Sequence, residues 1–133
     1  MDLSDLDLAA AADRGSEMTL THPVSGAPLL SDGQPVTIHL LGSDSREWRA
    51  AVADMHDRQN NTKRLSVGAI ETRTIELLAR VTRGWSGVVW GGEPLPFSSD
   101  NAKMLYRERP WVREQVDAFV GHRGNFFKGG SGS

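Results

Sequence analysis

The sequence predicts an α+β fold, in which an N-terminal helix and a small antiparallel β-hairpin or meander precede a mainly α-helical C-terminal region. Three observations predict it. Apolar and polar residues alternate between positions 17 and 41, apolar residues recur at helical spacing from position 44 onward, and clusters of Pro and Gly punctuate the change. A chain of 133 residues is long enough for one modest core, so a single domain over 1–127 is expected, with the Gly/Ser-rich stretch 128–133 as a flexible polar tail.

Each element follows from its own pattern. Leu3, Leu6 and Ala10 share a helical face, the alanine run 9–12 favours helix, and Gly15 supplies a stop, so a helix is predicted over about 3–14. Met18, Leu20 and His22 then alternate with Thr19 and Thr21 as a half-buried strand. "HPVSGAP" and "SDGQP" are turn sequences on either side of Leu29 and Leu30, and Val36, Ile38 and Leu40 resume the alternation. After Gly42, Asp44 and Glu47 have the spacing of a capping box, and Trp48, Val52 and Met55 form an apolar stripe. "DRQNNTKR" at 57–64 loses that stripe and reads as a polar connection or a solvated end of the helix. A second helix starts near Ser66, its predicted inward stripe being Val67, Ile70, Thr74, Leu77, Leu78 and Val81, with Gly84 as its stop. Ser98 or Ser99 caps a short helix carrying Ala102, Leu105 and Tyr106. Pro110 opens the last helix, whose face is Val112, Val116, Phe119 and Val120.

Composition narrows the function classes. A net charge of −2, with acids interspersed among the arginines, argues against a nucleic-acid partner, which a basic excess would attract. No apolar run is long enough for a bilayer, so no membrane partner is expected. The acidic start "MDLSDLDLAAAADRG" lacks the pattern of an export signal, which points to the cytoplasm. There is no cysteine, hence no disulfide, thiolate zinc site or thiol nucleophile.

Motifs for chemistry fail on inspection. His22, His39, His56 and His122 are never paired at metal-binding spacing, and Asp54, His56 and Asp57 in "DMHD" read as a solvated helix face. Ser86 has Gly84 two residues before it, but Val88 stands where a nucleophile elbow needs its second glycine. The glycines of this region lack the Lys-Ser or Lys-Thr of a phosphate-binding loop. The glycosylation triplet "NNT" at 60–62 carries nothing without a secretion signal. No catalytic residue, metal ligand or cofactor is expected.

The most distinctive stretch is "GWSGVVWGGEPLPFS", 84–98. As packing, Trp85 and Trp90 flank a short extended segment at Val88 and Val89, and "EPLPF" is a stiff bridge delivering Phe97 to the core. As an interaction surface, Trp90, Leu95 and Phe97 make a patch for a partner's helix, tryptophan being enriched at binding hot spots.

The order of motifs resembles the tail assembly chaperones of long-tailed, siphovirus-like bacteriophages and prophages. The resemblance runs through "HPVSGAPL" and "VTIHLLGSDS" to "GEPLPFS" from Gly92, "NAKMLY" from Asn101, "PWVREQVDAFV" from Pro110 and "RGNFF" from Arg123. It covers most of the chain up to Phe127, with "LSDGQ" at 30–34 resembling a small insertion and the tail lying outside it. The resemblance implies a non-enzymatic protein of the infected cell's cytoplasm, absent from the mature virion. Such a protein binds the tape-measure protein and keeps it soluble while tail-tube subunits assemble around it. It also implies that a frameshift-extended form, joined near Phe127, would recruit the tail-tube protein; the amino-acid sequence holds no record of the codon involved. Self-association as a homo-oligomer through the client-binding surface is left open.

The family pattern carries no catalytic residues. Candidate partner contacts are therefore the large side chains of the corner and its neighbours: Trp85, Trp90, Leu95, Phe97, Tyr106 and Trp111, each of which also reads as core. The alternative function is a small DNA-binding regulator of phage or prophage origin using "REQVDAFVGHR" as a recognition helix, against which Glu114 and Asp117 would repel phosphate. An enzyme built on His56 or Ser86 is a distant third.

Overall fold

A computed structural model describes residues 2–59 and 66–127. The "NNT" triplet, most of the polar connection after Asp57 and the "KGGSGS" tail lie outside the described residues. The architecture is α+β. A three-residue 3-10 turn, Leu3–Asp5, leads into α1 (Leu8–Arg14), followed by β1 (Ser16–Thr19), β2 (Leu30–Ser31), β3 (Gln34–Pro35) and β4 (Thr37–Leu40). Then come α2 (Arg46–Gln59), α3 (Val67–Arg80), β5 (Thr82–Ser86), β6 (Val89–Trp90), β7 (Glu93–Pro94), α4 (Ser99–Glu108) and α5 (Pro110–Gly121).

The predicted N-terminal helix is broken in two. Asp7 turns its carboxylate onto the Ala10 amide, a new N-cap that starts α1 at Leu8 rather than Leu3. Gly15 ends it as expected.

The sheet departs further from the sequence reading. Its order is β1-β4-β5, antiparallel throughout, so the third strand comes from after α3 and not from the 17–41 meander. The stripe ending in Val81, with Gly84 as its stop, reads as helix, yet α3 stops at Arg80, Val81 caps it, and the β-branched Thr82 begins the strand. Met18 pairs with Ile38 and Ile38 with Trp85, a cross-strand row that puts Trp85 on the same face as two core residues. Between His39 and Leu40 the register slips, leaving Arg83 as the extra residue of a bulge.

Two further ribbons are minimal hairpins. β2 and β3 turn through Asp32 and Gly33, and β6 and β7 through Gly91 and Gly92, all four residues at positive φ. That is the requirement of the two-residue turns whose twist matches paired strands, and it explains the Asp-Gly and Gly-Gly dipeptides.

The helices close the core. Ser45, not Asp44, caps α2 by accepting the Trp48 amide at 3.1 Å. Asp44 is engaged elsewhere, with both carboxylate oxygens on Arg123 at 2.7 and 3.0 Å. Glu47 does not complete a capping box either; it receives Arg80 at 2.6 Å and Arg83 at 3.3 Å, tying α2 to α3 and to the bulge. Asp54, on the same face of α2, takes the other arm of Arg80 at 2.8 Å.

The predicted stripes hold in part. On α2 Met55 is buried and Trp48 packs against the core as expected, but Ala51 is buried and Val52 is exposed; of the second stripe Leu78 and Val81 are buried as expected, Ile75 and Ala79 join them, and Val67 and Ile70 face outward. On α4, Ser98 is the N-cap and Ala102, Leu105 and Tyr106 are buried; on α5, Pro110 opens the helix and Val112, Val116 and Val120 are buried, as the pattern predicts. One apolar cluster joins Met18, Ile38 and Leu40 of the sheet to Leu78, Tyr106, Val116 and Val120 of the helices. Gln115 of α5 fastens the end of β1 from outside the ladder: its amide accepts the Thr21 N–H at 3.0 Å and donates to the Thr21 carbonyl at 2.9 Å.

Candidate functional site

The two hairpins stand side by side at the end of β1 farthest from α1, and between them and the α4–α5 corner lies an open apolar groove of about 730 Å³. Leu30 of β2 and Val89 and Trp90 of β6 form its walls, and Leu105, Trp111 and Val112 line its helical side. Leu30 is 63% exposed and Val89 49%, so apolar surface is left open to water around a recess that continues into the core at Leu20 and Val36.

Among the described residues the only charged side chain lining the groove is Arg109, at the junction of α4 and α5. Its guanidinium lies 4.7 Å from the Trp90 ring centre, a cation–π contact, and donates to the Glu108 carbonyl at 2.7 Å. Among the described residues it has no carboxylate partner, whereas Arg46, Arg80, Arg83, Arg107, Arg113 and Arg123 each have one. Residue order explains the placement: Arg109 precedes Pro110 in the non-helical link between two helices, which turns its side chain toward β6.

The six candidate contacts divide into three groups. Trp90 and Trp111 line the groove. Trp85, Leu95 and Phe97 form a neighbouring clasp: the Trp85 indole donates to the Leu95 carbonyl at 2.8 Å, and its ring meets Phe97 edge-on with centres 5.1 Å apart. The Leu95 amide in turn donates to the Val88 carbonyl at 2.9 Å, which holds the "EPLPF" bridge against the β5–β6 corner. Tyr106 is neither groove nor clasp. It has no accessible surface and its hydroxyl is hydrogen-bonded to Thr82, so a partner cannot reach it in this conformation.

Leu29, Leu30, Val89 and Arg109 belong to the groove and were not singled out by sequence. Their signal was faint: a Leu-Leu pair directly before an Asp-Gly turn, where one side chain must face outward. A second, smaller apolar groove of about 260 Å³ runs between α2 and α3, lined by Val52, Met55, Ile70 and Leu77.

The polar groups tested for chemistry are dispersed. His22 Nδ1 accepts the Val24 and Ser25 amides and so organises its own turn. Ser86 is exposed at the end of β5, and His56 is exposed on α2. Among the described residues no three His, Asp or Glu side chains gather to hold a metal ion, and no helix is long and apolar enough to cross a membrane. No family model, curated protein or solved structure matches the chain.

Proposed function

We propose that this chain is a non-enzymatic tail assembly chaperone of a long-tailed bacteriophage or prophage, which binds the tape-measure protein and keeps it soluble while tail-tube subunits assemble around it. Its place of work is the infected cell's cytoplasm, and it leaves before the virion is complete. Beside the motif order, the observation that carries this reading is the open groove with Trp90, Trp111 and Leu30 on its walls and one cation at its rim. A tape-measure protein presents long amphipathic helices, and such helices are taken up by apolar grooves between secondary-structure elements. Trp and Arg together are the side chains in which binding energy concentrates.

The DNA-binding alternative has less support. Glu114 and Asp117 are exposed on α5 while Val112, Val116 and Val120 are buried, so the face available to a duplex is acidic.

Co-expression with the tape-measure protein of the same genome tests the proposal. The client is expected to stay soluble and co-purify, and Trp90→Ala with Trp111→Ala is expected to abolish capture. A client that aggregates beside folded wild-type chaperone, with nothing co-purifying, overturns it; salt-sensitive binding to duplex DNA would then favour the regulator.

A further inference from the structure

We propose that Arg109 makes the groove selective for an acidic amphipathic helix, one whose apolar face is bordered by an Asp or Glu. This selectivity rests on the reading of the groove as the partner site and adds the partner's chemistry. Of the Arg109 guanidinium's N–H donors, only one on Nη1 is used, toward the Glu108 carbonyl at 2.7 Å. The Nε and Nη2 hydrogens lie side by side, matching the two oxygens of a carboxylate, and have no acceptor among the described residues. Arg123 shows the same edge filled: its Nε and Nη2 meet the two oxygens of Asp44 at 2.7 and 3.0 Å. Arg109 is exposed, with that edge left open beside the apolar walls.

Covering the groove makes the open edge matter. A helix laid over Leu30, Val89, Trp90 and Trp111 also takes water from Arg109, whose guanidinium sits 4.7 Å from the Trp90 ring centre. A cation that loses water without gaining an acceptor opposes binding, and the Trp90 ring offsets only part of that loss. A carboxylate at the border of the incoming face supplies the acceptor. Because the guanidinium is already seated on Trp90, little of its freedom remains to be lost on pairing. A Lys or Arg in the same place meets a like charge. Among the described residues the groove lining holds no second charge to soften the choice. Glu108, next in sequence, is directed to Arg107 at 3.5 Å rather than to Arg109.

Selectivity and chaperoning are separable: the first is measured with peptides on the isolated chain, the second as capture of the co-expressed client. A preference for acidic peptides without client capture overturns the chaperone reading and leaves the selectivity. Client capture without that preference does the reverse.

The probes are two synthetic amphipathic helical peptides with the same leucine face, identical except that the positions bordering it are Glu in one and Lys in the other. Each is titrated with the full chain by fluorescence anisotropy at low and at high salt. The Glu peptide is expected to bind about fivefold tighter or more at low salt, the scale of one exposed ion pair, and to lose much of that advantage at high salt. The chain's net charge of −2 by itself favours the Lys peptide, so a general field cannot produce this result. Arg109→Met keeps an apolar stem and is expected to abolish the preference; Arg109→Lys is expected to keep part of it and Arg109→Glu to reverse it, with circular dichroism checking the fold of each. Equal binding of the two peptides shows an occupant chosen by apolar shape alone, and binding of neither leaves the groove to a second copy of the chain. Either result overturns the proposal, as does a preference that survives Arg109→Met.

Discussion

The hydroxyls of Thr82 and Tyr106 lie 2.7 Å apart in the core, and their polarity is set by a third group. Thr82 Oγ1 donates its one proton to the Leu78 carbonyl at 2.8 Å, so it can only accept from Tyr106. The first residue of β5 is thereby tied to the last turns of both α3 and α4.

Breaking this relay from its two ends is expected to have unequal effects. Tyr106→Phe removes a donor and leaves Thr82 still bonded to Leu78, a cost of about 1 kcal/mol. Thr82→Val strands the buried Tyr106 hydroxyl without a partner, about 2 kcal/mol, while the Leu78 carbonyl keeps the Val81 amide at 3.2 Å. Urea unfolding of both variants checks the order.

Burial pushes the Tyr106 hydroxyl up to about 12, the bond to Thr82 offsetting only part of the shift. The native state thus holds the proton where the unfolded chain, near the ordinary value of 10.0, has released it. Stability from this group is full below pH 10 and falls as pH rises from about 10 to about 12, by at most roughly 2–3 kcal/mol. Tyr106 is the only tyrosine, so its ultraviolet titration is read without interference from another phenol. The folded protein is expected to titrate near the upper value and the urea-unfolded protein near the lower one; Tyr106→Phe is expected to lose the associated alkaline destabilisation.

The tryptophans of the corner are expected to separate by role. Trp85→Ala opens the clasp, losing the Leu95 hydrogen bond and the Phe97 contact, and is expected to destabilise by about 3 kcal/mol. Trp90→Ala removes a groove wall and the seat of Arg109, and is expected to cost less in unfolding than in partner capture. Comparing unfolding midpoint with capture for each variant checks the division.

Acid is expected to loosen the α2 attachments. Hydrogen bonds from Arg80 hold the Glu47 carboxyl below its usual range, and those from Arg123 do the same for Asp44. Both contributions are complete above the ordinary carboxylate range and are lost as pH falls through the depressed values. The ion pairs are partly solvated, so each contributes only a few tenths of a kcal/mol. Glu47→Gln and Asp44→Asn are expected to be less stable than wild type at neutral pH and to converge on it in acid, by urea midpoints across a pH series.

Gly42 sits where three elements meet. A Cβ there would fall 2.9 Å from the Phe126 ring and 3.0 Å from the Ala12 side chain. Phe126 is buried and packed edge-on against Phe119, so it has little room to yield. Gly42→Ala is expected to destabilise by about 1–3 kcal/mol, measured by thermal unfolding, and pairing it with Phe126→Leu to recover part of the loss.

Much of this was written locally. The α+β class, α4 and α5, the Ser98 cap, Pro110 at a helix start and the Asp-Gly turn all depend on residues within a few positions of one another, and local sequence by itself determined them. The tertiary structure alone decided the rest. Asp44 and Glu47 had capping-box spacing, but Arg123, Arg80 and Arg83 are stronger partners for a carboxylate than a backbone amide, and they arrive from distant parts of the chain. Val81 continued a helical stripe and Gly84 was its expected stop, but the open edge of β4 offered strand hydrogen bonds that a longer helix would have forgone. The groove is the extreme case. Leu30, Val89, Trp90, Arg109 and Trp111 lie on three elements and one interhelical link spread over some eighty positions, and periodicity within one element cannot report a surface that exists only between several.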